Sequence, residues 1–89
     1  MTVQLTKLSV TVRYFGAASA AVNSQAETLT LDPATTVGQL ASRLGSENPR
    51  LAAVLVRCSY LVDGVAVRDT GMRLENKQTV DVLPPFAGG

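Results

Sequence analysis

Apolar and polar side chains alternate most cleanly over residues 8–14, LSVTVRY. Leu8, Val10, Val12 and Tyr14 fall on one side, and Ser9, Thr11 and Arg13 on the other. A period of two predicts a half-buried strand. Gly16 stops it, and AASAAV (17–22) predicts a short helical turn of small residues. The alternation returns in TLTLD, with Leu29 and Leu31 inward and Asp32-Pro33 as its end. Two strands on either side of so short a connection predict an antiparallel pair.

The period then changes. Val37, Leu40, Ala41 and Leu44 recur at i, i+3, i+4 and i+7, one face of a helix. Thr36 and Gln39 precede and open it with the spacing of a capping box, in which each side chain accepts from the other's backbone N–H. Gly45 is expected to supply a left-handed C-terminal stop. Asn48-Pro49 reads as an N-cap followed by proline at the first helical position, so Leu51, Val54, Leu55 and Cys58 would line a second short helix. Asp63-Gly64 between apolar runs predicts a type I′ hairpin, and Asn76-Lys77 a turn before a last strand, TVDVL, with Val80 and Val82 inward. This order predicts an α+β domain, a mixed sheet packed on one main helix. The first and last strands are both strongly apolar, which suits central neighbours. Side by side they would make a β-grasp, the ubiquitin-like architecture. The folded domain is expected over residues 1–83 and an extended tail over 84–89.

Composition narrows the classes of function. The chain has 89 residues, 46% hydrophobic and 17% charged, which is globular and enough for one core. Eight basic and seven acidic residues are dispersed without a run, and there are only two Tyr and two Phe. A nucleic-acid groove wants a basic patch interleaved with aromatics, so nucleic acid is not an expected partner. A single cysteine implies no internal disulfide. No apolar stretch approaches 18 residues, and MTVQLTK lacks the pattern of a secretory signal, so no membrane is expected and the location reads as cytoplasmic.

Side-chain chemistry is sparse. There is no histidine, hence neither the usual general base nor the commonest metal ligand, and no metal site is expected. One cysteine excludes zinc-ribbon and CxxC chemistry, and Cys58 reads as a packing residue because cysteine is so often buried. No Gly-rich phosphate loop occurs. Asp63 and Asp81 fall at turn or outward strand positions and are expected to be solvated. What remains distinctive is LPPFAGG, residues 83–89. Pro84-Pro85 holds the backbone extended, so residues 84–89 could project up to roughly 20 Å. Gly88 and Gly89 have no Cβ and make that probe narrow. A domain presenting its own carboxylate in this way is a substrate for acyl activation. Phe15 and Phe86 divide evenly between partner contact and local packing.

Four stretches together, VTVRYFG (10–16), TVGQLASRL (36–44), the Asp63-Gly64 hairpin and the closing LPPFAGG, resemble the MoaD/ThiS family over nearly the whole chain. The paired prolines before Gly-Gly, with the RYF opening, resemble its molybdopterin branch most. Glu75-Asn76-Lys77 stands where the family often has Asp-Gly, and Asp63-Gly64 where it often has Asn-Gly; both keep the turn chemistry. The resemblance implies a β-grasp sulfur carrier with no catalytic side chains of its own, the sulfur-donating subunit of a sulfurtransferase. It implies that an E1-like adenylyltransferase/sulfurtransferase, using ATP and magnesium, adenylates the Gly89 carboxylate and converts it to a thiocarboxylate. No cofactor would bind this chain itself. Ala87 and Gly88 would thread the large subunit of molybdopterin synthase in a heterotetramer, with Phe15, Pro84, Pro85 and Phe86 at the contact. Sulfur would pass to cyclic pyranopterin monophosphate. A carrier for another pathway (thiamine, cysteine or a siderophore-like product), a ubiquitin-like modifier joined to lysines through Gly89, and a plain interaction domain remain as alternatives.

Overall fold

The structure is a computed structural model, and it describes residues 7–85. Strand β1 (Leu8–Tyr14) buries the four side chains that the alternation places inward, with Val10 and Val12 wholly enclosed. It leads into the short helix α1 (Gly16–Val22), which ends on Asn23 in the left-handed region at φ 55°. β2 (Ala26–Leu31) returns antiparallel to β1, pairing Leu8 with Leu31 and Arg13 with Ala26. Helix α2 (Val37–Glu47) follows, then α3 (Pro49–Leu55), the hairpin of β3 (Ser59–Val62) and β4 (Val65–Ala66), and finally β5 (Thr79–Leu83).

The sheet order is β2-β1-β5-β3-β4. β5 lies in its middle, parallel to β1 and antiparallel to β3. Its Val80 and Val82 are fully buried because both flanking strands and the helical layer cover them. This is the mixed sheet of a β-grasp. The core gathers Val10, Val12, Tyr14, Leu40, Leu44, Leu51, Val80 and Val82 on one face of the sheet. Truncating a residue as enclosed as Leu40, 1% exposed, to alanine would cost about 2–5 kcal/mol.

The caps follow the sequence at one end of α2 and depart from it at the other. The Thr36 hydroxyl accepts from Gln39 N and the Gln39 side chain accepts from Thr36 N, completing the capping box. Gly45 is not the expected left-handed stop. It lies within α2, two residues before the helix ends, and a Cβ built there would sit 3.3 Å from the Ala52 Cβ. Its smallness lets α3 cross closely. Asn48 ends α2 instead, in an extended conformation at φ −150°, and at the same time caps α3 by accepting from Leu51 N. α3 stops at Leu55, so Cys58 follows the helix rather than riding on it.

The turns obey their residues. Asp63 and Gly64 take φ 49° and 82°, the paired positive values of a type I′ hairpin. Lys77 takes φ 70° before β5, held by its N–H donating to Ser9 O, while Asn76 Oδ1 accepts from Ser9 N. The turn is thereby tied to the start of β1.

Candidate functional site

Because β1 and β5 are parallel, their C-terminal ends reach the same edge of the sheet, with Tyr14 beside Val82. Each strand then hands the chain to a special residue there, β1 to Phe15 and Gly16, and β5 to Pro84 and Pro85. Gly16 has φ 52°, a conformation that favours glycine, and a Cβ at that position would meet Pro84 Cγ at 3.9 Å. β3 begins at this edge too, with Ser59 opposite Leu83 and its hydroxyl donating to Leu83 O at 3.5 Å. The root of the predicted tail is thus enclosed by the ends of three strands and the first turn of α1. Pro84 is buried and Pro85 exposed.

On the face of the sheet away from the helices, Arg13 and Asp81 are register partners on adjacent strands. Arg13 Nε and Nη2 donate to the two Asp81 carboxylate oxygens at 2.6 and 2.8 Å. Asp81 is therefore no solvated carboxylate. It points outward as the alternation requires, yet is 5% exposed, because the guanidinium and its neighbours close over it. Its hydrogen bonds, then its charge, raise the Arg13 pKa. The guanidinium carbon also lies 5.6 Å from the centroid of the Phe15 ring, within cation–π range. Phe15 has extended angles as the N-cap of α1, so it continues the alternation and shares the outer face with Arg13. It is 36% exposed.

Cys58 sits just before Ser59 and is half-buried. Its thiol donates to Val54 O at 3.3 Å, and burial pushes its pKa up. A thiol held protonated is a poor nucleophile. Among the described residues no group of carboxylates or cysteine is arranged to hold a metal ion, and no helix is long and apolar enough to cross a membrane.

The structure brings Phe15, Pro84 and Pro85 to one edge. Phe86, Ala87, Gly88 and Gly89 lie outside the described residues. Sequence reasoning missed Arg57, Ala53 and Val54, which with Ala17 line a groove shared with both prolines. It also missed the Arg13–Asp81 pair, whose one clue was opposite charge on the outward sides of two strands expected to be neighbours.

The family described as the ThiS family matches residues 12–89. The chain belongs to the ThiS family. No curated protein matches it. Among solved structures, this ThiS-family chain resembles the HVO 2177 protein of Haloferax volcanii, with a TM-score of 0.84 and 24% identity over 100% of this chain and 93% of that one. It resembles SAMP1 of the same organism at a TM-score of 0.78 and 21% identity, covering 91% and 99%. It also resembles a chain in the complex of subunits 1 and 2 of the molybdopterin-converting factor from Helicobacter pylori, at 0.67 and 21%, covering 92% and 100%. At these identities the likeness establishes the fold, that of ThiS/MoaD-type sulfur carriers and ubiquitin-like modifiers. In this ThiS-family member the central strand β5 is the one that leads to Pro84 and Pro85.

Proposed function

We propose that the chain is a cytoplasmic sulfur carrier that acts as the small, sulfur-donating subunit of molybdopterin synthase. The observation that carries this reading is the extent of the family match, which runs through Gly88-Gly89 on a fold whose central strand β5 ends at Leu83, before Pro84 and Pro85. An E1-like partner holding ATP and magnesium supplies the activation. The Gly89 carboxylate attacks the α-phosphorus, pyrophosphate leaves, and an acyl-adenylate forms. The terminal sulfur of a persulfide then attacks the acyl carbon and AMP leaves. A second thiol resolves the acyl disulfide, releasing the thiocarboxylate. This chain contributes the carboxylate and a shape narrow enough to carry it, with Ala87 and Gly88 threading the partner's channel. Phe15, Pro85 and Phe86 are assigned to partner contact, with the buried Pro84 fixing the direction of exit. The likeness to a chain solved with its second subunit supports a large-subunit partner. The sulfur acceptor in this reading is cyclic pyranopterin monophosphate.

The test is to incubate the chain with an E1-like activating enzyme of this family, ATP, magnesium and a persulfide donor, and to weigh the intact product. Replacement of one oxygen by sulfur at Gly89 is the expected result. Recovery of unmodified chain alone from an active enzyme overturns the reading. The likeness to SAMP1 favours one second reading, a modifier whose Gly89 is joined to lysine amines. Branched lysine–glycine peptides in digests of cells expressing the chain would mark it.

A further inference from the structure

β2 is an edge strand, with β1 on one side of it and, among the described residues, no strand on the other. Two bonds fix which of its backbone groups are free. Tyr14 N–H donates across to Gln25 O, while Thr11 N–H donates the other way, to Gln78 O just before β5. Even-numbered residues of β1 therefore exchange bonds with β2, and their register partners are Glu27, Leu29 and Leu31. The N–H and C=O groups of Ala26, Thr28 and Thr30 point out of the sheet. Two of these carbonyls are met, Ala26 O by Ser24 Oγ and Thr30 O by Arg43 Nη1 at 3.1 Å. Among the described residues nothing bonds the three N–H groups or Thr28 O. Edges are commonly blunted by proline, lysine or a bulge. None of these interrupts residues 26–31, whose register with β1 is unbroken over six pairs. Arg43 alone stands across this edge.

We propose that β2 pairs with β2 of a second copy, antiparallel about a two-fold axis through Leu29, joining the two sheets into one. This centre makes the free groups serve one another and brings opposite charges together. Thr28 faces the partner's Thr30 and exchanges both backbone bonds with it, and the two-fold repeats the exchange. On the outer face threonine then meets threonine, and on the helical face the half-buried Leu29 meets the partner's Leu29. Arg43 yields Thr30 O to the incoming N–H. Its guanidinium, opposite the partner's Thr28, turns to the neighbouring carboxylate, the partner's Glu27. Glu27 is exposed and lies on the same helical face, and its bond from the Tyr14 hydroxyl to Oε1 leaves Oε2 free. A centre at Thr28 would instead set the Glu27 carboxylate against the partner's Leu29. One strand pairing is a small interface, so the dimer is weak, with a dissociation constant of roughly 0.1–1 mM. The axis sends the C-terminal ends of β1 and β5 in the two copies to opposite ends of the joined sheet. The Phe15 and Pro85 edge of one copy therefore never meets that of the other.

The test is amide hydrogen exchange by NMR beside sedimentation equilibrium, on the full chain. In dilute solution the Glu27, Leu29 and Leu31 amides should be protected, and those of Thr28 and Thr30 should exchange freely. Concentration should protect Thr28 and Thr30, in step with a monomer–dimer equilibrium. Thr28→Pro removes an outward N–H that no bond within the described chain uses, so it should abolish the dimer and leave the other sheet amides in place. Arg43→Glu and Glu27→Arg should each weaken self-association about tenfold, because the two-fold repeats every like-charge contact. Mixed together, these two variants should pair with each other more tightly than either does with itself, since both contacts are then complementary. A chain that sediments as a monomer at about 1 mM overturns the proposal. So does a dimer whose newly protected amides lie on another face, or one that Thr28→Pro leaves unchanged. Charge variants that associate no better together than apart overturn the two-fold through Leu29.

Discussion

Arg13 and Asp81, 68 residues apart in sequence, meet through two parallel hydrogen bonds of 2.6 and 2.8 Å across the central strand pair. The pair is lopsided, because the Arg13 side chain is 52% exposed and that of Asp81 only 7%. Removing the arginine leaves an enclosed carboxylate without its partner, whereas removing the aspartate leaves a guanidinium that water can reach. Arg13→Leu is therefore expected to lower the melting temperature more than Asp81→Leu. The double substitution should recover most of the Arg13→Leu loss, since apolar replacement of both partners is often near neutral. A double variant as unstable as the sum of the singles would show that the pair contributes nothing as a pair.

Asn48 closes one helix, opens the next and ties both to a third. Its N–H donates to Gly45 O, its Oδ1 accepts from Leu51 N at 3.1 Å, and its Nδ2 donates to Ala21 O at 3.1 Å. Asn48→Ala is expected to cost about 1–2 kcal/mol, a fall of about 5–15 °C in melting temperature. Asn48→Asp keeps the α3 cap but loses the donor to Ala21, and should fall between the two. Denaturant melts of the three proteins at matched concentration would settle the order.

Under the proposed function, deleting Gly89 is expected to abolish sulfur loading, because the proposed reactive group is its carboxylate, and to leave the fold of residues 7–85 intact. One residue added after Gly89 should be as damaging. Both are checked by mass spectrometry of the loaded chain beside a melting curve. Loading of the shortened chain at the normal rate would sink the assignment of Gly89.

Cys58→Ser exchanges a half-buried sulfur for a hydroxyl that can still donate to Val54 O. The cost should be about 1 kcal/mol or less, with sulfur loading preserved. A well-folded serine variant that cannot be loaded would instead identify the thiol as a relay.

Alkaline stability should carry the mark of buried acids. Burial first, then the Glu27 charge and the hydrogen bond donated to Glu27, and lastly Glu47, hold the Tyr14 phenol well above its ordinary value. Burial also raises the pKa of the Cys58 thiol and, with the nearby cysteine, that of Tyr60. In each case the unfolded chain gives up its proton first, so the contribution is present below the unfolded pKa and is lost as pH rises. Melting temperature should begin to fall near pH 9, where an unfolded thiol ionises, and more steeply above about pH 10, where unfolded tyrosines do. Tyr14→Phe, though less stable at neutral pH, should flatten the upper part of the slope. A melting temperature that stays level from pH 8 to 11 would contradict the burial of these groups.

Most of the frame could be read from local pattern. The alternation in residues 8–14, the capping box at Thr36 and the Asp63-Gly64 turn are decided by neighbours a few positions apart, and each element appears where its residues place it. The misreadings are non-local. Gly45 has the residue type of a helix stop, but whether it ends α2 or admits α3 depends on where Ala52 crosses. Asp81 has the parity of a solvated position, and only the parallel register with β1 reveals the arginine that covers it. The groove at the tail's root joins residues from α1, α3 and the end of β5, a grouping that no single stretch of sequence displays.

The placement of β5 between β1 and β3 has a consequence for synthesis. The strand that fills the middle of the sheet is the last of the described strands in chain order, so during synthesis β1 must wait for it with one edge unpaired. Non-local and parallel pairings of this kind form slowly, and a waiting apolar edge invites association with other chains. Nascent chains that stop before Thr79 would hold all the described helices yet lack the strand that joins β1 to β3. A chaperone that shelters β1 until β5 arrives would therefore raise the yield of this protein, by governing when the sheet closes and leaving its final stability unchanged.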